Sequence, residues 1–501
     1  MPVPTVSLSL QPTDAEISPL LFGHFIEFIE NCIQGGVTDS GSPASSETGI
    51  RLDVLEKAEK LHPAILRFPG GTYANIYHWM DGIGPVSSRR KRRNLIWGGI
   101  NGNAFGTAEF VSYCRKLGAE PMLCVNMASG TAQEAADWVE YCNGEPGTYY
   151  ADLRVADGFP EPFHVKYWCI GNECYAEPDL GPQHDPLRYV SDAWEFTKHM
   201  KLMDPSLKLI YVGNPLDQEW NSTVLESLAP VCDYFSIHHY SSEGARGPYG
   251  PFASLQEFRS QLDTLIPLLH ACSVSGKKLS PWYRFPGRET KIRLAIDEWN
   301  IWDSTPRGKD NPYGLKMVYT WRDALWTACM LNTFVEYAED IGIANLAQMV
   351  NVLAPIVTSG DTSFVQTTYH VLLFYRKYLQ GRKVQCSFSA PPLSAGPAGT
   401  LSMLNASACL KTDGTICAFL VNLSQDLPLD VTFSENYCML ESEVLSAPSF
   451  SAFNTPECDV IVHSSCANPQ ETIHLGPASV CAVCLSPAGA SDTVAQAAAM
   501  G

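Results

Sequence analysis

Val165-Lys-Tyr-Trp-Cys-Ile-Gly-Asn-Glu173 is a short apolar run that ends in a glutamate, and Arg293-Leu-Ala-Ile-Asp-Glu298 repeats this arrangement further along the chain. Each run has the length and apolar content of a strand that is buried on both faces. Parallel strands that close into a barrel carry their functional side chains at the carboxyl rim. The two runs therefore predict that Glu173 and Glu298 meet at one rim of a barrel.

Eight strand patterns alternate with eight helical patterns over the first three quarters of the chain. The predicted strands are Phe22–Glu27, Ile65–Phe68, Pro121–Val125, Val165–Ile170, Lys208–Val212, Tyr234–His238, Lys291–Ile296 and Ile343–Gln348. The predicted helices are Leu52–Leu61, Thr107–Leu117, Thr131–Asn143, Pro186–Met203, Asn221–Leu228, Leu255–Ala271, Trp321–Tyr337 and Thr368–Leu379. This repeat predicts an α/β fold, a (β/α)₈ TIM barrel. Ser254-Leu-Gln-Glu257 matches a capping box, which predicts that the sixth helix begins at Leu255.

After about Leu379 the pattern changes to short β-rich segments that are separated by Pro, Gly, Ser and Asp-Gly turns. This pattern predicts a C-terminal all-β sandwich domain. The segment Val6–Leu10 is also strand-like but precedes the barrel, so we expect it to pair with the C-terminal domain. The predicted boundaries are 1–16 for this N-terminal strand, 17–380 for the barrel, 381–488 for the β-sandwich domain and 489–501 for a flexible tail.

Length and composition restrict the classes of protein. The chain has 501 residues, whereas single cores stop growing near ~250–300 residues, so two domains are expected. With 45% hydrophobic and 17% charged residues it is an ordinary globular protein. Its formal net charge of −19 argues against nucleic acid or an anionic membrane as a partner, because the summed field would repel both. A neutral substrate is not affected by this field.

Targeting signals and cysteines indicate the compartment. The amino-terminal segment Met1–Leu10 lacks the basic residues and the uninterrupted apolar core of a secretory signal. No run approaches the ~20 apolar residues of a membrane span. The seventeen cysteines have no repeating spacing, and several lie inside apolar runs, where a thiol behaves as a small hydrophobe. We therefore expect a cytoplasmic protein.

The residues that end the predicted strands are almost all able to bind a polyol. They are Glu27, the segment Pro69-Gly-Gly-Thr72, Asn126, Asn172 with Glu173, Asn214, His238 with Tyr240, Glu298 and Gln348. Any one of them could instead serve a turn or a cap, so their value is collective. The pair of carboxyl groups among them is what cleavage of a glycosidic bond requires. Asp297 would point away from Glu298 along a strand, and we expect it to be buried against a barrel partner.

Two tryptophans and two histidines leave alternatives open. Trp97 and Trp302 could be core residues, or they could stack on a sugar ring. His238 and His239 are adjacent, but no further ligand cluster follows at a plausible spacing, so no metal site is predicted.

Two other motifs carry no predicted function. The run Arg89-Arg-Lys-Arg-Arg93 is one short basic loop in an acidic protein, and we interpret it as a solvated turn or a clamp between domains. Cys481-Ala-Val-Cys484 lacks a second cysteine pair and lies on a predicted strand, where residues three apart face opposite sides.

Several segments together resemble the α-L-arabinofuranosidases of glycoside hydrolase family 51. The matching segments are Gly23-His-Phe-Ile-Glu27, Arg67-Phe-Pro-Gly-Gly71, Tyr77-His-Trp-Met-Asp-Gly-Ile-Gly-Pro85, Asn103-Ala-Phe-Gly-Thr107, Trp138-Val-Glu-Tyr-Cys-Asn143, Lys166-Tyr-Trp-Cys-Ile-Gly-Asn-Glu173, Asp297-Glu-Trp-Asn-Ile-Trp302 and Gln348-Met-Val-Asn-Val-Leu-Ala-Pro355. They cover most of the barrel, so the resemblance is specific.

The resemblance implies roles for individual residues. Glu173 would be the general acid/base and should have a raised pKa, while Glu298 would be the nucleophile of a retaining double displacement. The residues implied in substrate binding are Glu27, Thr72, Trp97, Asn172, His238, Tyr240, Trp302 and Gln348. The resemblance also implies a jelly-roll-like terminal domain, a homo-oligomer such as a hexamer or a trimer, a carbohydrate substrate and no cofactor.

One departure from the family pattern concerns the sugar. Thr72 stands where the family usually has Asn directly after Pro-Gly-Gly, so a hydroxyl replaces an amide. A second departure is Glu30-Asn31 before Cys32. The predicted activity is release of terminal α-L-arabinofuranosyl groups. The alternatives are a galactofuranoside, a β-xyloside or an endo-β-1,4-glucan as substrate, or a non-catalytic carbohydrate-binding relative.

Overall fold

The computed structural model describes residues 3–176, 185–275, 278–303, 311, 314–434, 437–467 and 470–487. The helices in these ranges are α1 (Leu52–Leu61), α2 (Thr107–Leu117), α3 (Ala132–Asn143), α4 (Tyr149–Ala156), α5 (Pro186–Met203), α6 (Gln218–Leu228), α7 (Gly250–Ser275), α8 (Trp321–Glu336) and α9 (Thr367–Tyr378). The first eleven strands are β1 (Thr5–Glu16), β2 (Gly23–Phe25), β3 (Ile65–Phe68), β4 (Arg92–Arg93), β5 (Ile100–Asn101), β6 (Glu120–Cys124), β7 (Tyr167–Ile170), β8 (Lys208–Val212), β9 (Tyr234–Ser241), β10 (Arg293–Ile301) and β11 (Ile341–Leu346). The remaining strands are β12 (Ile356–Ser359), β13 (Thr362–Val365), β14 (Arg382–Ser387), β15 (Pro392–Ser394), β16 (Thr400–Ser402), β17 (Leu404–Leu410), β18 (Ile416–Asn422), β19 (Leu429–Phe433), β20 (Tyr437–Ser446), β21 (Val462–Cys466), β22 (Ile473–Leu475) and β23 (Ser479–Pro487).

Eight parallel strands close into a barrel in the order β2, β3, β6, β7, β8, β9, β10 and β11, with β11 pairing back to β2. A small cluster of buried side chains fills its interior, including Ile65, Met122, Ile210 and Ile343. Each strand is buried on both faces because the helices cover the outside. The predicted (β/α)₈ TIM barrel is confirmed.

Two helical predictions need correction. The helix α4 was not predicted, because it is short and buries only Ala151 and Arg154, so the sequence carries almost no apolar periodicity there. The helix α7 begins at Gly250 and not at Leu255, so Ser254 lies inside the helix and does not cap it. Pro251 explains the earlier start, since proline is well tolerated in the first turn of a helix.

The strand β10 extends to Ile301, five residues beyond its predicted end. Its pairing with β9 contains a bulge, since the two residues of β10 between Ala295 and Glu298 match only the one residue of β9 between Ser236 and His238. A bulge bends the strand and changes the direction of its side chains. The predicted strand end at Ile296 is therefore wrong, and Glu298 lies within the carboxyl-terminal part of β10, just after the bulge.

The C-terminal domain is built on one nine-stranded sheet in the order β21, β20, β23, β18, β17, β14, β1, β19 and β22. The N-terminal strand β1 pairs antiparallel with β14 and parallel with β19. One face of the sheet packs on the barrel, where Phe419 stacks on Tyr375 of α9, and the other face encloses a second apolar core. A C-terminal β-domain after the barrel is confirmed, while the tail 489–501 lies outside the described residues.

Candidate active site

Glu173 and Glu298 meet at the carboxyl rim of the barrel. Glu173 follows β7, and Glu298 lies in β10. One carboxylate oxygen of each, together with a ring nitrogen of His238, lie within 4.8 Å of one another. The two glutamates that the sequence singled out are thus direct neighbours in space.

A buried arginine on β3 connects the two strands that carry these glutamates. Arg67 donates from Nη1 to Oε1 of Glu298 at 2.6 Å and from Nη2 to Oδ1 of Asn172 at 2.6 Å. Burial would lower the pKa of Arg67, but the charges of Asp297 and Glu298 raise it well above its usual value. The sequence analysis did not assign Arg67 to the site. The signal was present, since a charge inside the apolar strand Ile65–Phe68 needs a partner.

Both oxygens of Glu298 accept hydrogen bonds. Tyr240 donates its hydroxyl to Oε2 at 2.8 Å, opposite the arginine on Oε1. Burial and the charge of Glu298 raise the pKa of Tyr240 well above its usual value, so the hydroxyl keeps its proton. Gly71 lies against the same carboxylate, and a Cβ there would come within 2.6 Å of Oε1. The position of the Glu298 carboxylate is therefore fixed from three sides.

His238 lies between the carboxylates. Its Nδ1 is 2.7 Å from Oε1 of Glu173 and 3.5 Å from Oε2 of Glu298, and its Nε2 is 3.5 Å from Oδ1 of Asp297. Burial would lower the pKa of His238, but the charge of Glu298 and the contacts with Asp297 and Glu173 raise it well above 6.5. These contacts therefore favour the protonated, positively charged form of His238.

The positive charge of His238 corrects one prediction. Glu173 was expected to have a raised pKa, as a general acid requires. Burial does favour this, but the hydrogen bond from His238 and its charge outweigh burial and lower the pKa of Glu173 below 4.5. These opposite shifts favour a shared proton of the Glu173–His238 pair that resides mainly on His238.

Asp297 is completely buried, as predicted. Its carboxylate accepts a hydrogen bond from the hydroxyl of Ser236, and its Oδ2 is 3.4 Å from Nε of Arg67. Burial would raise its pKa, but the charge of Arg67 and the contact with His238 lower it to about 2. Asp297 thus remains ionised and neutralises the cations beneath the two glutamates.

A second group of residues surrounds Glu27. Trp97 donates from Nε1 to Oε1 of Glu27 at 3.0 Å, and the backbone N–H of Tyr73 donates to the same oxygen at 2.9 Å. Gln348 donates from Nε2 to Oε2 at 2.9 Å. Burial, together with the charge of Glu298, raises the pKa of Glu27 from 4.5 to about 7 against these hydrogen bonds. This coupling to Glu298 places Glu27 at the same site.

The remaining predicted residues divide into two groups. Trp302 is half-buried and packs edge to face on Tyr240, the residue that donates to Glu298, with ring centroids 5.6 Å apart, and its contact with a sugar ring stays a prediction. Thr72 follows Gly71 and is half-buried, and its contact with a sugar stays a prediction. Asn126 and Asn214 instead accept hydrogen bonds from backbone N–H groups two or three residues on, as turn residues do.

The geometry of the site bears on metal binding. Glu173, His238 and Glu298 are close enough to hold an ion by distance alone, although sequence spacing did not indicate such a cluster. However, Arg67 already forms an ion pair with Glu298, and His238 is held in its protonated form. The cations Arg67 and His238 therefore already neutralise the two glutamates, which disfavours the binding of a metal ion between them. His239 faces the other way and stacks on Phe258 of α7, with ring centroids 4.2 Å apart.

A TIM barrel with two adjacent glutamates at its carboxyl rim defines a glycoside hydrolase. Two family models match the chain: an alpha-L-arabinofuranosidase 1 domain at residues 57–258 and an alpha-L-arabinofuranosidase C-terminal domain at residues 297–479. The chain belongs to the α-L-arabinofuranosidase family, glycoside hydrolase family 51.

Three known proteins illustrate this relationship. A protein of Aspergillus clavatus named probable alpha-L-arabinofuranosidase C is 35% identical over 86% of this chain and 86% of its own length. An intracellular exo-alpha-(1->5)-L-arabinofuranosidase of Halalkalibacterium halodurans is 33% identical over 89% of this chain and 91% of its own length. The solved structure of a thermostable GH51 alpha-L-arabinofuranosidase from Thermotoga petrophila has a TM-score of 0.83 and 31% identity, and the match covers 96% of this chain and 99% of that one.

Proposed function

We propose that the protein is a retaining, exo-acting α-L-arabinofuranosidase that releases terminal α-L-arabinofuranosyl groups by double displacement. The observation that supports the mechanism best is the position of Glu173 and Glu298, whose carboxylate oxygens lie within 4.8 Å. Retaining enzymes hold their two carboxyl groups about 5–5.5 Å apart, whereas inverting enzymes leave room for a water at about 6.5–9.5 Å. The separation therefore favours retention.

Glu298 is the proposed nucleophile. Arg67 and Tyr240 each hold one of its oxygens, so the carboxylate is oriented before the substrate arrives. Its attack on the anomeric carbon forms a covalent arabinosyl ester and breaks the bond to the leaving oxygen. The Nδ2 of Asn172, which is buried and makes no hydrogen bond in the described part of the chain, is available to donate to a hydroxyl of the sugar.

The Glu173–His238 pair is the proposed acid and base. The proton on Nδ1 of His238 moves along the 2.7 Å hydrogen bond to Glu173, which passes it to the leaving oxygen. Glu298 loses its negative charge as the ester forms, and that charge is the main cause that raises the pKa of His238. In the second step Glu173 takes a proton from water, the oxygen of that water attacks the anomeric carbon, and the bond from this carbon to Glu298 breaks, which releases the sugar and restores the Glu298 carboxylate.

Glu27, Gln348 and Trp97 form the proposed closed end of the site, which binds the terminal sugar. Their hydrogen bonds to one another fix the donors and acceptors that face a furanose ring. Exo action is part of the same proposal, since a site closed at one end admits only a terminal residue. The name of the Halalkalibacterium halodurans relative, an exo-acting arabinofuranosidase, agrees with this proposal.

The proposed setting is the cytoplasm, and the proposed assembly is a homo-oligomer, a hexamer or a trimer. All seventeen cysteines are free thiols, and most are buried, as expected in a reducing compartment. A relative is named intracellular. Among the described helices, none is both long enough and apolar enough to cross a membrane. Sedimentation velocity on the purified protein distinguishes the proposed trimer or hexamer from a monomer.

The test of the proposed activity is hydrolysis of four aryl glycosides by the wild type and by Glu298→Gln. The substrates are α-L-arabinofuranoside, β-D-galactofuranoside, β-D-xylopyranoside and β-D-glucopyranoside. We expect turnover of the arabinofuranoside and its loss in the variant. Preference for another sugar would contradict the proposed substrate and direct attention to Thr72. Absence of turnover for all four would contradict the proposed catalysis.

A further inference from the structure

The basic run Arg89–Arg93 leads into a hairpin beside the active site, and its last two residues form the first strand of that hairpin, β4. The strands β4 and β5 pair antiparallel, with Arg93 directly opposite Ile100. Five consecutive positive charges stand out in a protein with a formal net charge of −19. The sequence analysis interpreted this run as a solvated turn or an interdomain clamp, but the structure places it on the barrel rim, near Glu27.

Two of the five basic residues anchor the hairpin. Arg89 forms a two-pronged ion pair with Glu109 of α2, at 2.7 and 3.1 Å, and its side chain is almost fully buried. Arg92 donates from Nε to Oδ2 of Asp81. These contacts hold the backbone of the hairpin against the barrel. These two ion pairs therefore fix the backbone that carries the other three basic residues, Arg90, Lys91 and Arg93.

The other three basic residues face solvent. The side chain of Arg90 is 68% exposed and has only a weak contact with Asp81, at 3.7 Å. Lys91 and Arg93 are exposed and form no ion pair with any residue of the described ranges. Arg89 and Arg92 already hold the hairpin in place, so the positive charge of these three residues is available to a ligand.

The turn of the hairpin reaches the proposed sugar pocket. Asn94, next to Arg93, donates from Nδ2 to the carbonyl oxygen of Phe28, the neighbour of Glu27, at 2.8 Å. Trp97 in the same turn donates to Glu27 itself. Leu95 and Ile100 beside these residues are 69% and 68% exposed. One rim of the pocket thus continues into a surface that combines exposed apolar side chains with free cations.

We propose that this hairpin binds a carboxylate on the part of the substrate beyond the cleaved bond, so that the enzyme prefers arabinofuranosyl groups carried by uronate-containing oligosaccharides. The inference rests on the proposed function and specifies its substrate class. Apolar side chains suit the faces of sugar rings, and guanidinium groups such as that of Arg93 pair with carboxylates in two-pronged geometry.

The exposed cations of the hairpin stand out because the protein as a whole is strongly acidic. An acidic oligosaccharide approaching a surface of net charge −19 is repelled by the summed field. Exposed cations at the pocket mouth oppose that repulsion where the substrate enters. A neutral substrate would need no such reversal.

The experiment compares an arabinofuranosyl-substituted xylo-oligosaccharide that carries glucuronic acid with the same compound after its carboxyl groups are reduced to alcohols. The measured quantity is the ratio of kcat/KM for the acidic to the reduced compound. We expect a ratio of roughly three- to tenfold at low salt, the effect of one or two exposed charge pairs. The ratio should approach one at about 1 M NaCl, where the Debye length falls to about 3 Å.

The variant is the double substitution Lys91→Gln and Arg93→Gln, and the matched control is Lys116→Gln. Lys116 is exposed in the last turn of α2, which leads into the amino-terminal end of β6 at the opposite face of the barrel. The double variant should lower the ratio to about one, whereas the control should keep the wild-type ratio.

A wild-type ratio of one, or a ratio that the double variant does not change, would overturn the inference even if both compounds are hydrolysed. A changed sedimentation coefficient of the double variant with an unchanged ratio would also overturn it, because the surface would then bind a second copy of the chain. Failure to hydrolyse either compound would instead contradict the proposed function itself.

Discussion

His238 donates from Nδ1 to Oε1 of Glu173 at 2.7 Å, so the proposed acid of the reaction is hydrogen-bonded to a cation before substrate binds. The pKa of Glu173 is lowered by this contact, while that of His238 is raised. The pair holds one transferable proton in the ligand-free state. The pH at which that proton is lost should therefore depend on the imidazole and not on the carboxyl alone.

Replacing His238 should change the alkaline limb of the pH profile. His238→Asn keeps an N–H near the position of Nδ1 but removes the titratable group. We expect kcat/KM to fall by roughly 10²-fold, the scale of one general acid or base. We also expect the alkaline limb to move to lower pH, because Glu173 alone retains the proton less tightly than the pair. If the alkaline limb of His238→Asn stays at the wild-type pH, the proposal that Glu173 and His238 share one transferable proton is contradicted.

Removing the hydroxyl of Tyr240 should impair the chemical step. Tyr240→Phe leaves Oε2 of Glu298 without its 2.8 Å hydrogen bond. Hydrogen bonds to charged groups contribute about 1.5–3 kcal/mol, so kcat should fall roughly ten- to a hundredfold. The matched control is Tyr249→Phe, whose lost hydrogen bond goes to the carbonyl oxygen of Leu423 in the β-domain. Equal losses in the two variants would indicate a structural role only.

Glu27 should make the wild type less stable as pH rises. Its pKa is raised by burial from 4.5 to about 7 in the folded protein. The folded state therefore binds the proton more tightly than the unfolded state, and this stabilisation is complete below pH 4.5 and lost as pH rises through 7. The difference corresponds to about 3 kcal/mol, at 1.36 kcal/mol per pKa unit.

The measurement is urea unfolding of the wild type and Glu27→Gln at about pH 5 and pH 8. The variant lacks the titratable group, so its free energy of unfolding relative to that of the wild type should increase between the two pH values. A relative stability that stays constant across this range would show that Glu27 does not titrate with a raised pKa.

The sequence predicted candidate site residues where a polar side chain directly follows an apolar run typical of a buried strand. Glu173 follows an apolar run, and the eight such runs predicted the barrel because buried parallel strands leave few polar positions. Arg67 was missed because its partners Glu298 and Asn172 come from distant strands, and only the closed barrel brings them together. The bulge before Glu298 was also not predictable, since it arises from the pairing of β10 with β9 and not from local residue types.

Protonation states were predicted less well than positions. The lowered pKa of Glu173 depends on a histidine 65 residues away in sequence, and the raised pKa of Glu27 depends on complete burial. The pattern of predicted strands gives neither the distance between Glu173 and His238 nor the degree of burial of Glu27. The chemistry at the site therefore required the folded arrangement.

The most direct test of the central claim is peptide mass spectrometry on Glu173→Ala after brief reaction with an aryl α-L-arabinofuranoside that has a highly activated leaving group. Such a leaving group needs no acid, but the second step lacks its base, so the covalent intermediate should accumulate. We predict a pentosyl adduct on the peptide that contains Glu298. Turnover without any adduct, together with an inverted anomeric product by NMR, would contradict the account.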